Sequence, residues 1–415
     1  MASIQTAALT PANQTEVNDN TGALVIVTLL FFMWGLLTSL NDVLIPHLKA
    51  IYTLTYLQAM LVQFCFFGAY FLVSIPAGLL IRRIGYQKGA VAGLLIAASG
   101  CALFYPASHS GYALFLFAFF VLAAGITVLQ VAANPYVTVL GSARTASSRL
   151  TLTQAFNSLG TTIAPALGGM LILSSGALKA DQAASVQGPY LALAGALALL
   201  ALLFGVARLP KISHSDSEAR AGVDNVKTSV GAHRHLVLGA AAIFLYVGGE
   251  VSIGSFLINF LGESSIAGLQ PAAAAHYVSL YWGGAMLGRF IGFVVMRYVS
   301  PGKTLAFNAL GAIALILTAV YAHGHVAMWA ILAVGLCNSI MFPTIFSMAL
   351  HGLGKFTGQG SGILCMAIVG GALVPFAQGL LADTIGVQAS FLVPAACYAF
   401  ILFFGLKYAN QHKPA

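Results

Sequence analysis

Long apolar segments alternate with short polar connections along this chain from about residue 23 to residue 407. A helix that crosses a bilayer needs ~20 consecutive, mostly apolar residues. Segments of that length cover approximately 23–47, 55–81, 88–107, 111–140, 150–175, 187–208, 235–261, 273–299, 304–322, 325–350, 360–382 and 388–407. The pattern therefore predicts twelve transmembrane helices. Composition removes the soluble alternative, because 59% of the 415 residues are hydrophobic and only 7% are charged, against roughly 25% charged in soluble domains. Such a chain has too little polar surface to face water, whereas lipid-facing helices need none. The 44 glycines and 14 prolines, set inside apolar segments, read as sites of close helix packing and tolerated kinks.

The formal charge of +8 forms no patch of the kind that binds nucleic acid, since the basic residues fall in small clusters between the apolar runs. They divide unevenly: 15 of 18 lie in alternate connections, from Arg82 and Arg83 to Lys407 and Lys413. Lys49 and Lys179 lie on the other side, and Arg289 is inside a span. The positive-inside rule then places both termini in the cytoplasm and predicts a multi-pass plasma-membrane protein, the bacterial inner membrane being the expected home. Residues 1–22 are polar, with no basic n-region or cleavage site of a signal peptide, and read as an uncleaved tail. The five cysteines sit within the apolar runs without a CxxC pair and read as small buried hydrophobes. His233-Arg234-His235 and His323-Gly324-His325 lack cysteine or carboxylate company and read as loop residues rather than metal ligands.

The longest connection, Pro210 to Arg234, is polar and divides the chain six plus six. The predicted organisation is a tail (1–22), an N-terminal six-helix bundle (23–208), a cytoplasmic linker (209–234), a C-terminal six-helix bundle (235–408) and a second tail (409–415). The halves carry traces of a repeat. Gly160, Pro165 and Gly169 recur 210 positions later as Gly370, Pro375 and Gly379, and Gly78 with Arg83 is echoed by Gly292 with Arg297. Two related halves joined by a linker describe a rocker-switch transporter with its substrate site near the midplane.

An ionisable side chain within a span costs ~2.5–3.5 kcal/mol at mid-helix, so it should face an aqueous cavity or a partner. Asp42, Glu250 and Arg289 are in that position. Asp42 shares a helix face with Thr38 and Ser39 and follows Asn41, which suits a cation or proton site; the alternative is an interfacial acid at the helix end. Glu250 stands beside the Gly248-Gly249 pair and could accept hydrogen bonds from a hydroxylated ligand or pair with Arg289. Arg289 reads as a helix-locking residue or a ligand anchor. The co-facial amides Gln130 with Asn134, and Gln154 with Asn157, both donate and accept. With the aromatic rings of Trp34, Tyr281 and Trp282 they suit a neutral polyol, interhelical glue being the other reading.

Phe31-Phe32-Met33-Trp34-Gly35, Leu40-Asn41-Asp42-Val43-Leu44-Ile45-Pro46, Ala132-Ala133-Asn134-Pro135-Tyr136-Val137, Gln154-Ala155-Phe156-Asn157-Ser158-Leu159-Gly160 and Gly249-Glu250-Val251-Ser252-Ile253-Gly254-Ser255-Phe256 closely resemble the fucose/glucose–galactose symporter family of the major facilitator superfamily. The resemblance covers nearly the whole chain after the tail. It implies the all-α major facilitator fold and secondary active uptake of a hexose by alternating access, driven by a cation gradient. It places the family's cation-linked aspartate on Asp42 and its cavity amides on Gln154 and Asn157. Where the fucose-permease branch has an essential glutamate, this chain has Gln130, which cannot carry a proton. That departure points toward the glucose/galactose branch, some of whose similar members are sodium-coupled. The loop motif Gly78-Leu79-Leu80-Ile81-Arg82-Arg83-Ile84-Gly85 has Arg82 where most of the superfamily has aspartate, which removes the gating contact expected there.

No span carries the paired carboxylates, nucleophile with base, or acidic diphosphate motif of a membrane enzyme. The expected function is a hexose symporter working as a monomer without a resident cofactor. Sodium is favoured as the coupled ion, with Asp42, Ser39, Thr38, Asn41 and Gln130 as its oxygen ligands. Sugar contacts are expected from Gln154, Asn157, Asn134, Glu250, Trp34, Tyr281 and Trp282, and structural or gating roles from Arg289, Arg83 and Arg297. The alternative is proton-coupled uptake of L-fucose or a related deoxyhexose.

Overall fold

The computed structural model describes residues 21–52, 56–168, 187–207 and 230–410. The greater part of the expected linker and of both tails lies outside the described residues. So do the side chains of Ser39, Asn41 and Asp42.

The N-terminal half contains α1 (Thr21–Tyr52), α2 (Tyr56–Ile84), α3 (Tyr86–Ser110), α4 (Tyr112–Val139), α5 (Ala146–Gly168) and α6 (Gln187–Val206). The C-terminal half contains α7 (Arg234–Gly262), α8 (Pro271–Val295) and α9 (Pro301–Tyr321). Its last three spans are each interrupted: α10 (Gly324–Asn338) continues as α11 (Met341–Leu350), α12 (Thr357–Met366) as α13 (Gly370–Ile385), and α14 (Val387–Ser390) as α15 (Leu392–Lys407). Among the described residues, ten helical segments are long and apolar enough to cross a membrane, and Gly22–Thr38 adds a shorter apolar stretch of α1. Large apolar side chains such as Leu202, Phe307 and Phe376 stand on the outside, as a lipid-facing surface requires.

The interrupted tenth span was expected as one helix. Pro343 explains the break, because proline has no N–H to donate and is tolerated only in the first turn; the chain restarts as α11 just before it. The carbonyls of Asn338 and Ser339, freed from the helical ladder, become acceptors for side chains.

Contacts repeat between the halves. α1 packs on α5, α2 on α4, and α3 on both α4 and α6; in the same pattern α7 packs on α13, α8 on α10, and α9 on both α10 and α15. The glycine repeat has a steric cause. A Cβ on Gly160 would run into the Phe32 carbonyl oxygen, and one on Gly370 into the Phe244 carbonyl oxygen. Bare backbone at these two points lets α1 and α5, and then α7 and α13, approach to contact distance.

A second correspondence is inverted. Gly85, at φ 84°, opens α3, and Gln87 two residues on donates to the carbonyls of Phe204 at 2.7 Å and Ala207 at 2.9 Å. Gly386, at φ 87°, opens α14, and Gln388 donates to Ala319 at 3.0 Å and Ala322 at 2.8 Å. Each glutamine caps the orphan carbonyls at the end of a neighbouring helix. Arg149 does the same for α4, donating to the carbonyls of Val137 (3.2 Å), Thr138 (2.8 Å) and Ser142 (2.9 Å) and to the Thr145 hydroxyl.

Candidate functional site

The halves meet along α2 with α12, α5 with α8 and α11, and α4 with α12. Serine and glycine make several of these approaches, toward the end of the molecule that carries the basic connections. Ser147 and Ser347 hydroxyls lie 2.5 Å apart, Ser148 donates to the Phe293 carbonyl at 2.6 Å, and Ser361 donates to the Val131 carbonyl at 2.9 Å. Gly78 of α2 faces Gly358 and Gly362 of α12 so closely that a Cβ would touch the Gly358 carbonyl at 2.7 Å. Hydroxyls and bare backbone thus close the basic end between the halves. Arg83 is exposed at the end of α2; Arg297 follows α8 with its guanidinium 4.3 Å over the Phe293 ring.

Above this closure the N-terminal half presents three amides. Gln130 and Asn134 on α4 are buried, as is Gln154 on α5. Gln130 Oε1, both amide atoms of Asn134 and Gln154 Nε2 have no hydrogen-bond partner among the described residues. Buried polar atoms are partnered in more than ~90% of cases, so each of these atoms marks a place where a polar ligand or water belongs. Asn157 differs from the amide with which the sequence paired it. Its Nδ2 donates to the Phe31 carbonyl at 3.0 Å, tying α5 to α1 where Gly35 lies against the Asn157 backbone. Trp34 is buried beside Phe31, with ring centroids 5.3 Å apart. Thr38 Oγ1 lies 3.2 Å from the Trp34 carbonyl oxygen and 3.0 Å from that of Gly35, so its one hydrogen has an acceptor within α1 and its oxygen lone pairs stay available.

The C-terminal half presents a connected network. Tyr246 Oη lies 2.7 Å from Glu250 Oε1 and 3.1 Å from the Asn338 carbonyl oxygen. Asn338 Nδ2 donates to Tyr281 Oη at 2.7 Å. Tyr246 and Tyr281 are fully buried, whereas Glu250 is partly exposed. Tyr281 is thus a core residue that reaches the interface only through Asn338. Trp282 is exposed, packed edge-on against Tyr281 at 5.1 Å and over Gly254.

Arg289 does not pair with Glu250. Its Nε donates to the Ser339 carbonyl at 3.0 Å, and its Nη1 crosses to α5, donating to the Gln154 carbonyl at 3.1 Å and to the Ser158 hydroxyl. It locks helices, but across the two halves rather than within one. Sequence reasoning passed over Tyr246, Asn338, Ser158 and the interface serines. Asn338 could have been found as Gln130 was, by its amide inside a span, and Tyr246 by its place one turn before Glu250.

The major facilitator superfamily pattern matches residues 27–368. This chain belongs to the major facilitator superfamily. Its place is among the glucose/galactose and fucose transporters. It is 59% identical over 397 residues to the glucose/galactose transporter of Brucella abortus, covering 95% of this chain and 96% of that protein. It is 37% identical over 396 residues to the L-fucose-proton symporter of Escherichia coli K12, covering 90% of each. The crystal structure of the superfamily transporter FucP in the outward conformation superposes with a TM-score of 0.84 at 35% identity, over 92% of this chain and 98% of that one. The chain is a multi-pass membrane transporter and not an enzyme.

Proposed function

We propose that this superfamily member is a cation-coupled symporter that imports a hexose, glucose or galactose, by alternating access. The observation that carries the reading is the set of unpartnered buried amide atoms on Gln130, Asn134 and Gln154, above a closed basic end. Amides that both donate and accept match the hydroxyls of a neutral sugar and carry no charge to balance that of an ionic substrate. The Brucella abortus relative, named a glucose/galactose transporter, supports the same substrates. In this reading Gln154, Asn134 and Glu250 contact the sugar directly. Asn157 shapes the wall, Trp34 and Trp282 supply apolar ring faces, and Tyr281 stands behind Asn338. Arg289, Arg83 and Arg297 serve the scaffold and the gate. The basic end is cytoplasmic, with both termini on that side of a bacterial inner membrane.

Coupling requires a site whose occupancy favours one conformation over the other, since a ligand with equal affinity for both shifts nothing. Asp42, with Ser39, Thr38, Asn41 and Gln130, offers one negative charge among hard oxygens, the donor set of a sodium ion. Gln130 cannot titrate, which disfavours a proton relay on this half. The second reading, a proton-coupled L-fucose symporter, takes its support from the Escherichia coli relative of that name.

Proteoliposomes test both. Labelled glucose or galactose should accumulate under an inward sodium gradient, and Asp42→Asn should abolish accumulation while sugar exchange persists. Uptake unchanged without sodium, and lost when a proton gradient is dissipated, would overturn the sodium assignment. Preference for L-fucose over both hexoses would establish the second reading.

A further inference from the structure

A hydrogen count at Tyr246 points to a second ion site. The phenol oxygen lies within bonding distance of two acceptors, Glu250 Oε1 at 2.7 Å and the Asn338 carbonyl at 3.1 Å. A phenol has one hydrogen. If Glu250 is a carboxylate, it takes that hydrogen and the Asn338 carbonyl is left without it. If Glu250 carries a proton, its own O–H donates to Tyr246 Oη and the phenol hydrogen goes to Asn338, so both short distances become hydrogen bonds. The arrangement closes only with the acid neutral.

The surroundings hold one cation, whose charge favours the carboxylate but whose hydrogen bonds go elsewhere. Among the described residues, the titratable and charged groups that face Glu250 are Tyr246 on its own helix, Tyr281 and Arg289 on α8, and Tyr398 on α15. Arg289 is the one cation among them, and its hydrogen bonds go to Ser339, Gln154 and Ser158. A carboxylate in a span without an ion partner is costly, and protonation removes that cost.

The same contacts connect the acid to the seal between the halves. Glu250 touches Tyr246, Tyr246 touches the carbonyl of Asn338, the next carbonyl along the α10–α11 break accepts from Arg289, and Arg289 holds α5 at Gln154 and Ser158. We propose that Glu250 is a proton-binding site of the C-terminal half, occupied while Arg289 is fastened to α5 and emptied when Arg289 lets go of α5 and turns to the carboxylate. One proton binds the carboxylate in the closed-basic-end form and leaves it in the other. This rests on the transport reading only for its direction across the membrane; it adds a titrating acid to the site at Asp42 and does not replace it.

Infrared titration of the purified full chain in lipid nanodiscs tests the proton directly and without sugar. In an Asp42→Asn background, a protonated-carboxyl band should be present at neutral pH, fade as pH rises, and be missing after Glu250→Gln. If Glu250→Gln removes no band at any pH, the proposal is overturned. Galactose added at a pH where the band has faded should drive proton uptake in the wild type, approaching one proton per galactose bound. Normalised in that way, uptake should vanish in Glu250→Gln and shift in pH in Tyr246→Phe, which deletes the shared hydroxyl. Equal uptake per bound galactose in the wild type and Glu250→Gln would also overturn it. A wild type that binds no hexose sinks the substrate reading instead, and the infrared titration still decides the proton site.

Discussion

The two halves share a scaffold and face each other with different chemistry. On the N-terminal face, Gln130, Asn134 and Gln154 keep buried amide atoms without a partner among the described residues. On the C-terminal face, Tyr246, Glu250, Asn338 and Tyr281 bond to one another in a continuous chain, and Asn338 Oδ1 is the one atom of that chain left unpartnered. Leaving a buried donor or acceptor unpaired costs ~1–3 kcal/mol, a penalty that a structural core avoids and a ligand removes. One face is therefore kept ready for a ligand, and the other is wired to carry a change of state. Arg289 joins them, since it belongs to the wired half and grips the backbone of the receptive one at Gln154.

Breaking the shared scaffold should have the largest effect. Gly370→Val places a branched side chain where even a Cβ overlaps the Phe244 carbonyl, and Gly160→Val does the same against Phe32. Because backbone rather than a flexible side chain is in the way, each should cost ~3 kcal/mol or more. The expected result is loss of monodisperse protein in size-exclusion chromatography and a sharply lowered thermal midpoint. Normal yield and midpoint for both would mean that the α1–α5 and α7–α13 pairs tolerate separation.

These glycines also mark how much the sequence reveals. The offset of 210 between Gly160 and Gly370 was visible because close packing demands a residue type, and residue types are written in the sequence. The spans were legible for the same reason, since bilayer thickness imposes a length. The candidate amides could be chosen because a polar group inside a span stands out. Partner choice was not legible. Arg289 and Glu250 lie on adjacent spans, and opposite charge suggested a pair, but Arg289 bonds to atoms 131 and 135 positions away in sequence. Asn157 and Gln154 have the same spacing logic and chemistry, yet only Asn157 has a backbone carbonyl within reach of its amide.

Cutting the link between the faces comes next. Arg289→Gln removes charge-assisted bonds to the Gln154 carbonyl and the Ser158 hydroxyl, each worth ~1.5–3 kcal/mol. Even partial compensation should shift the balance of conformations ~10-fold or more toward opening of the basic end. Pulsed electron spin resonance between labels on the basic-end tips of α4 and α11 would report it as a new, longer distance. An unchanged distance distribution would make Arg289 a prop for α8 alone.

On the receptive face, Gln154→Ala should weaken sugar binding ~5- to 150-fold, the loss of one or more buried hydrogen bonds. Asn157→Ala should show the reverse balance: a lower thermal midpoint from the lost bond to Phe31 and the smaller loss of affinity. Titration calorimetry with galactose, set beside thermal unfolding of the same samples, separates the two. If Asn157→Ala weakens binding more than Gln154→Ala, the unpartnered amide is not the better guide to the ligand.

The smallest effect is expected at the serine seal, and there the two halves should again differ. Ser347 Oγ lies 3.1 Å from the Thr344 carbonyl, to which it donates, and 2.5 Å from Ser147 Oγ. With the Ser347 hydrogen committed to Thr344, Ser147 is the donor across the interface. Ser147→Ala then removes one bond but leaves Ser347 its own donor contact, for ~0.5–1.5 kcal/mol. Ser347→Ala instead strands the buried Ser147 hydroxyl in the closed form, at ~1–3 kcal/mol, a cost relieved when opening admits water. The spin-label distances should therefore show a shift of ~2- to 12-fold for Ser147→Ala and a larger one for Ser347→Ala. Equal shifts would mean that the hydrogen runs from Ser347 to Ser147, and that the C-terminal half makes the closing bond.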